Sequence, residues 1–195
     1  MGGALMASLI PSGSASGTGS MTLSAPVTNS NQTATLPDAT GTVMVSGNMP
    51  AFSAYLGSPQ SVTSGVTTKC TLDTEIFDTN NNFASSRFTP TIAGYYQIDC
   101  TMRYSIGSAF IANASITIFK NGSDYNRVAQ LNIGTNAQFS GDQTLSGSAI
   151  VYCNGTTDYI EMYGLLTGTT GATPLFQYAA NYATCSMSGS LVRSA

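Results

Sequence analysis

Most of the seven β-like stretches of this 195-residue chain alternate apolar and polar side chains with a period of two, which is the pattern of β-strands that have one buried face. They are enriched in β-branched and aromatic residues, and no stretch has the periodicity of an amphipathic helix. The pattern therefore predicts an all-β protein of antiparallel sheets, each with one face exposed to water. The predicted strands are Val66–Phe77, Gly94–Tyr104, Ala112–Lys120, Asp124–Ile133, Gln143–Tyr152, Thr157–Leu166 and Ala183–Arg193.

Asparagine and glycine separate these strands. An asparagine run occupies residues 80–82, and Asn-Gly pairs begin at Asn121 and Asn154. Asn-Gly between two apolar runs is the strongest short-range signal for a β-hairpin. Many short strands joined by such turns predict a sandwich or a barrel.

The four cysteines are predicted to be free thiols. Cys100 falls on the apolar face of its strand with Tyr96, Cys70 shares a face with Leu72, and Cys185 shares one with Met187. Cysteines on apolar faces behave as small buried hydrophobic residues, and the chain contains no Cys-x-x-Cys pair to suggest a zinc site. The fourth is Cys153. Free thiols are typical of proteins made in a reducing compartment.

The charge content argues against whole classes of function. Only 8% of residues are charged, the net charge is −3, and there is no histidine. Without imidazole there is no Ser-His-Asp triad and no histidine metal site, and the net negative charge does not suit nucleic acid. The polar residues are instead 25 Ser, 26 Thr and 13 Asn. We therefore expect a protein that is not an enzyme, binds no cofactor and contacts no nucleic acid.

The chain is predicted to divide into an N-terminal segment, residues 1–49, and a head domain, residues 50–195. The longest apolar stretch of the segment, Ala4–Ile10, is far too short to span a membrane, so no membrane insertion is expected. Residues 21–46 contain three short β-like runs divided by proline and by a turn. Two interpretations stay open: a linker, or an extended β segment that is stable only when several copies wrap together.

The segment from Phe88 to Cys100 resembles the signature of the C1q-like domain, a relative of the tumour-necrosis-factor jelly roll. Phe88, Gly94 and Tyr96 match that signature in spacing and identity, while Ile98 and Cys100 stand where the family prefers aromatic residues. The signature places Gly94 where the backbone turns tightly. The opening strand at residues 51–54, the block at residues 154–162 and the closing strand around Gly189 resemble the family in the same order. The resemblance implies a jelly-roll sandwich that forms a homotrimer.

The run from Leu23 to Val43 resembles a segment common in fibre and appendage proteins of tailed bacteriophages. The two resemblances together imply a structural protein of the virion, such as a head fibre, a capsid decoration protein or a short tail fibre, assembled in the bacterial cytoplasm. Residues 1–49 would attach the trimer to capsid, portal or tail proteins, and the head would face outward and bind host-surface polysaccharide. The alternative is a secreted C1q-like adhesin or lectin of a cell, which a glycan at Asn121 or a calcium requirement would favour.

Two groups of residues are candidates for ligand contact. If the strand predicted at Val66–Phe77 is continuous, Asp73 and Glu75 lie on one face and could bind Ca²⁺, as some C1q-like domains do; the simpler interpretation is two solvated charges near Lys69. No other metal site is expected. The second group lies in a late loop that could face outward, and its candidates are Phe176, Gln177, Tyr178 and Asn181.

Overall fold

The computed structural model describes residues 49–133 and 139–195, together with isolated positions at residues 16, 18, 22, 29–31, 45 and 47. Every regular element of two or more residues in the described part of the chain is a β-strand. In this part of the chain no helix is long and apolar enough to cross a membrane. The strands are β1 (Ala51–Tyr55), β2 (Gln60–Ser61), β3 (Thr68–Lys69), β4 (Thr74–Asp78), β5 (Phe83–Ala84), β6 (Arg87–Phe88), β7 (Gly94–Ser105), β8 (Phe110–Lys120), β9 (Ser123–Asn132), β10 (Phe139–Ser140), β11 (Gln143–Cys153), β12 (Ile160–Gly168), β13 (Leu175–Phe176) and β14 (Ser186–Ser194).

The strands form two antiparallel sheets. In the first sheet, β1 and β14 pair, β14 pairs with β7, and β7 pairs with β11; β4 extends the sheet beyond β1. In the second sheet, β6 pairs with β12, β12 with β8, and β8 with β9. The eight principal strands, numbered 1 to 8 along the chain, are β1, the β5–β6 pair, β7, β8, β9, β11, β12 and β14. In these numbers the strand order is 1-8-3-6 in the first sheet and 2-7-4-5 in the second. This order is that of a jelly roll, two Greek keys folded into a sandwich. The predicted fold class is confirmed.

The core lies between the two sheets and is built by the period-two pattern. Along β7, alternate residues from Gly94 to Tyr104 are buried, while the residues between them are partly or fully exposed. Phe52 of the first sheet stacks on Phe88 of the second with ring centroids 4.2 Å apart, and the Phe88 ring meets Tyr96 edge-on at 5.4 Å. The Tyr96 hydroxyl donates a hydrogen bond to the Ile92 carbonyl at 2.7 Å, which satisfies the polar end of a buried ring.

The prediction of one continuous strand over Val66–Phe77 is wrong. The segment is divided into β3, which pairs with β12 in the second sheet, and β4, which pairs with β1 in the first. The chain crosses between the sheets at residues 70–73, so the alternation does not carry through. Cys70 and Leu72 are buried at this crossing, but Val66 and Ile76, expected on the same face, are 50% and 59% exposed.

The two Asn-Gly pairs have different roles. Asn121 and Gly122 both have positive φ, 54° and 78°, and form the two-residue turn of the β8–β9 hairpin. Asn154 and Gly155 do not form a hairpin, because β11 and β12 belong to different sheets. The Asn154 side-chain oxygen instead accepts hydrogen bonds from the N–H groups of Thr156, Thr157 and Asp158, a compact turn that carries the chain across the sandwich.

All four cysteines are buried free thiols, as predicted. Burial raises the pKa of the Cys100 thiol to about 12 and that of Cys153 to about 11. The Cys70 and Cys185 thiols hydrogen-bond to each other, which raises the pKa of Cys70 and lowers that of Cys185. The thiols therefore serve as core side chains between the two sheets.

The chain divides into two units, residues 1–42 and 43–195, and the second contains every strand given above. The three β-like runs predicted between residues 21 and 46 lie outside the described residues, apart from isolated positions. The boundary expected at residues 49 and 50 stays a prediction.

Candidate functional site

The exposed face of the first sheet is lined largely by small hydroxyl residues. A row across β11, β7, β14 and β1 places Ser148, Asp99, Ser188 and Ser53 side by side. The next row toward the β7 C-terminus places Ser146 beside Thr101, and their hydroxyls lie 3.1 Å apart. Such a face carries little charge to desolvate, which suits contact with another protein surface.

Large apolar side chains are exposed at one end of this sheet. Ile150 and Tyr152 of β11 are 57% and 38% exposed, and Tyr95 of β7 is 43% exposed. The Tyr95 and Tyr152 rings lie 5.4 Å apart. Val192, in a bulge of β14 near Tyr95, is 57% exposed. We call Tyr95, Ile150, Tyr152 and Val192 the aromatic end. Clustered apolar side chains at a surface mark interaction sites more often than isolated ones do.

Lys120 connects the aromatic end to the second sheet. Its ammonium lies 5.6 Å from the centre of the Tyr152 ring and forms an ion pair with Asp158 at 2.9 Å. Asn121 donates its side-chain amide to Asp158 at 2.7 Å. These hydrogen bonds, first from Asn121 and then from Lys120, lower the pKa of the Asp158 carboxyl. N-glycosylation of Asn121 would replace one N–H of the amide that donates to Asp158.

The exposed side of the second sheet carries a charged cluster that the sequence analysis missed. The Glu161 carboxylate is 3% exposed and accepts from Lys69 at 2.7 Å and from Arg87 at 2.9 Å. The Arg87 guanidinium stacks over the Tyr159 ring at 3.7 Å. Alternation in β12 places Glu161 on the face opposite to that of the buried Ile160 and Met162. No sequence signal indicates which cations pair with Glu161. The cluster is fully paired and fixes the β5–β6 hairpin to β12.

The carboxylates expected beside Lys69 lie elsewhere. Asp73 is at the crossing between β3 and β4, and its Oδ1 accepts a hydrogen bond from the Gly57 N–H at 2.7 Å. Glu75 is exposed within β4. The two therefore do not share one strand face, and Lys69 pairs with Glu161 instead. Among the described residues, no group of three or more His, Cys, Asp or Glu side chains could hold a metal ion.

The late loop is only partly as expected. Phe176 is wrongly assigned to an outward loop: it belongs to β13, is fully buried, and meets the Tyr104 ring edge-on at 5.8 Å. Gln177 and Tyr178 are half-buried, because the chain here still follows β7. Asn181 is exposed, and beside it Tyr182 is 75% exposed. The outward part of the loop is therefore shifted to residues 180–183.

A shallow groove opens between this loop and the edge of the first sheet. It encloses about 290 Å³. Its lining residues are Tyr55, Ile76, Ala179, Ala180, Asn181, Tyr182 and Ala183. None of these side chains is charged. We call this space the tyrosine groove.

The residues of the C1q-like signature lie in the core. Phe88, Gly94, Tyr96, Ile98 and Cys100 are buried, as is Gly189. The two glycines are required by close packing. A Cβ on Gly94 would lie 2.5 Å from the Arg193 carbonyl, so Gly94 permits the approach of β14, and the expected tight turn is not the reason for it. A Cβ on Gly189 would lie 2.7 Å from Ile98 and 2.8 Å from the Phe52 ring.

Solved structures of C1q and TNF proteins are similar to this chain. The globular domain of the zebrafish complement 1qA protein is 14% identical, with a TM-score of 0.46, and the match covers 75% of this chain and 99% of that one. Murine APRIL is 7% identical, with a TM-score of 0.49 and coverage of 74% and 99%. Eiger TNF from S. frugiperda is 8% identical, with a TM-score of 0.47 and coverage of 75% and 93%. No family model and no curated protein matches the chain.

Proposed function

We propose that this protein is a non-enzymatic structural component of a bacteriophage virion. Residues 50–195 are the outward-facing head of a homotrimer, and residues 1–49 attach it to the particle. The resemblance of Leu23–Val43 to phage appendage segments supports a location on the virion. The absence of histidine from the sequence supports a role without catalysis.

The observation that carries the self-association is the exposed face of the first sheet. Many side chains on this face are Ser or Thr, and the aromatic end remains exposed. Burying this face against other copies would remove apolar surface from water and leave few charges buried without a partner. Closed rotational symmetry allows each copy to use the same surfaces.

Attachment to host-surface polysaccharide is the mechanism we assign to the head. A single sugar contact is weak, but three heads held on one particle bind with an avidity that exceeds the affinity of each. The low net charge of the chain suits contact with a neutral glycan surface.

Two measurements on the phage that encodes the chain test this function. Antibodies against residues 50–195 should label purified particles, and particles whose chain lacks residues 50–195 should adsorb to host cells more slowly. Unlabelled particles would contradict the virion role. Labelled particles with unchanged adsorption would leave a structural role and contradict the attachment role.

A further inference from the structure

We propose that the tyrosine groove binds one neutral sugar unit, with the Tyr182 ring beneath the apolar face of the pyranose. This inference rests on the proposed function, because it assigns the glycan contact of the head to a particular place. The late loop, the end of β1 and the edge strand β4 together form the site.

The loop that carries Tyr182 is held in place before any ligand arrives. The Tyr182 N–H donates to the Ala179 carbonyl at 3.1 Å, and the two residues form a β-bridge. The Thr184 N–H donates to the Tyr182 carbonyl at 2.9 Å, and the Thr184 hydroxyl donates to the Gln177 carbonyl at 2.6 Å. The buried Cys185 then returns the chain to the core. A preorganised loop loses little conformational entropy on binding.

Tyr182 is the most exposed of the large apolar side chains in the described residues, at 75%. It stands at a groove whose other large side chains are Ile76, 59% exposed, and Tyr55, half-buried. Apolar surface that converges on a concavity, with a few polar groups, is the usual composition of a small-ligand site.

The polar groups of the groove match a sugar. The Asn181 side-chain amide provides both donors and an acceptor, and the Tyr55 and Tyr182 hydroxyls can each donate and accept. Vicinal hydroxyls of a pyranose need such mixed partners, while the C–H groups on its opposite face need an apolar surface. The groove offers both within about 290 Å³, a volume at the lower end of small-molecule pockets.

Charge selects the class of sugar. No lining residue is charged, so the groove lacks the Arg or Lys that would pair with a carboxylate or sulfate. Glu75, exposed next to Ile76 on β4, would repel an anion. A neutral hexose or N-acetylhexosamine therefore fits, and an acidic sugar does not.

Saturation-transfer NMR on the full chain tests the assignment. The probes are glucose, galactose, N-acetylglucosamine and, as the charged comparison, N-acetylneuraminic acid. We expect signal from at least one neutral sugar and weaker signal from the acid. Tyr182→Ala should weaken that binding about tenfold, while Tyr182→Phe should keep most of it, because the ring makes the contact. Tyr125→Ala, an exposed tyrosine on the other sheet, is the matched control and should bind as the unaltered protein does.

Several outcomes would overturn the proposal: no signal from any neutral sugar, stronger signal from the acid, or equal binding by Tyr182→Ala. Light scattering on the same variants tests whether a second copy of the chain, and not a sugar, occupies the groove. If Tyr182→Ala lowers the mass of the assembly, the groove is a contact between copies and the sugar site is wrong. These results are separate from the virion role, since particles that lack the chain would contradict that role and leave sugar binding intact.

Discussion

At the scale of single residues, this fold is governed by close approaches between backbones and rings. Gly189 faces Ile98 across β14 and β7, and the Phe52 ring lies over it. Phe52 in turn stacks on Phe83 and Phe88, so one missing side chain permits an aromatic cluster that joins the two sheets. The signature glycines therefore act through packing.

Gly189→Ala should lower the free energy of unfolding by about 1–3 kcal/mol, because the new methyl group would lie within 3.0 Å of Ile98, Phe52 and the Gln97 carbonyl. Urea denaturation measures the change. Gly47→Ala is the control, since a Cβ there would have no neighbour within 4 Å among the described residues. Equal stability of the two variants would show that the β14–β7 approach is not tight.

The Asp158 carboxylate pairs with Lys120 beside the aromatic end. Asp158→Asn should destabilise the protein by about 1–3 kcal/mol at pH 7, because it leaves Lys120 without its carboxylate. The pKa of Asp158 is lowered in the folded state, so its contribution is complete above the unfolded-state pKa of about 3.9 and is lost as the pH falls through the lower folded-state value.

Urea denaturation curves from pH 7 down to pH 2.5 measure this dependence. The difference between the unaltered protein and Asp158→Asn should shrink only at the acid end of the range. Asp124→Asn, at an exposed position of β9, is the control and should change little. A difference that stays constant with pH would contradict the role of the Asp158 charge.

At the scale of elements, the β5–β6 hairpin has a strained turn that is stabilised by hydrogen bonds to residues outside the hairpin. Ser85 and Ser86 form its two-residue turn with φ of 53° and 58°, which is unfavourable for residues other than glycine, asparagine and aspartate. Lys69 donates to the Ser85 carbonyl at 3.0 Å, and the Ser86 hydroxyl donates to the Leu72 carbonyl at 3.1 Å. Contacts from the neighbouring crossing therefore hold a turn that its own sequence does not favour.

Ser85→Asn should stabilise the protein by up to about 1 kcal/mol, since asparagine suits the first position of this turn. Thermal and urea unfolding measure the gain. In Ser86→Gly the relief of backbone strain is offset by loss of the hydrogen bond to Leu72, so little or no gain is expected. A loss of stability in Ser85→Asn would contradict the assigned turn geometry.

The sequence predicts most long strands of this fold because the alternation of apolar and polar residues within each strand indicates which side chains are buried. β7, β8, β9 and β11 begin and end within about two residues of their predicted bounds. The division of Val66–Phe77 is not predictable, since a chain that changes sheets can keep a β-like composition throughout. The Glu161 cluster is also not predictable, because its cations are 92 and 74 residues away in sequence and meet it only through the strand order.

At the scale of the whole molecule, the two sheets have different exposed faces. In the second sheet, Glu161 pairs with Lys69 and Arg87, and the Phe119 and Tyr163 rings stack on each other 3.7 Å apart. The first sheet leaves hydroxyl rows and the aromatic end exposed. This asymmetry supports contact between copies through the β11–β7–β14 part of the first sheet, away from the tyrosine groove at its β4 edge.

Ile150→Lys should weaken self-association, because it would place an unpaired charge in the aromatic end, which the contact between copies buries. Light scattering over a range of concentrations measures the assembly mass. Val66→Lys is the matched control: Val66 is exposed to a similar degree, 50% against 57%, but lies outside the first sheet, in the segment between β2 and β3. Equal masses for both variants would place the contact elsewhere.

The mass of the unaltered full-length chain in solution tests the central claim most directly. Light scattering should give three times the 20.1 kDa of one chain, and that value should persist on dilution. A stable particle of 20.1 kDa would contradict the account, because the exposed face of the first sheet would then be a surface that no other copy covers.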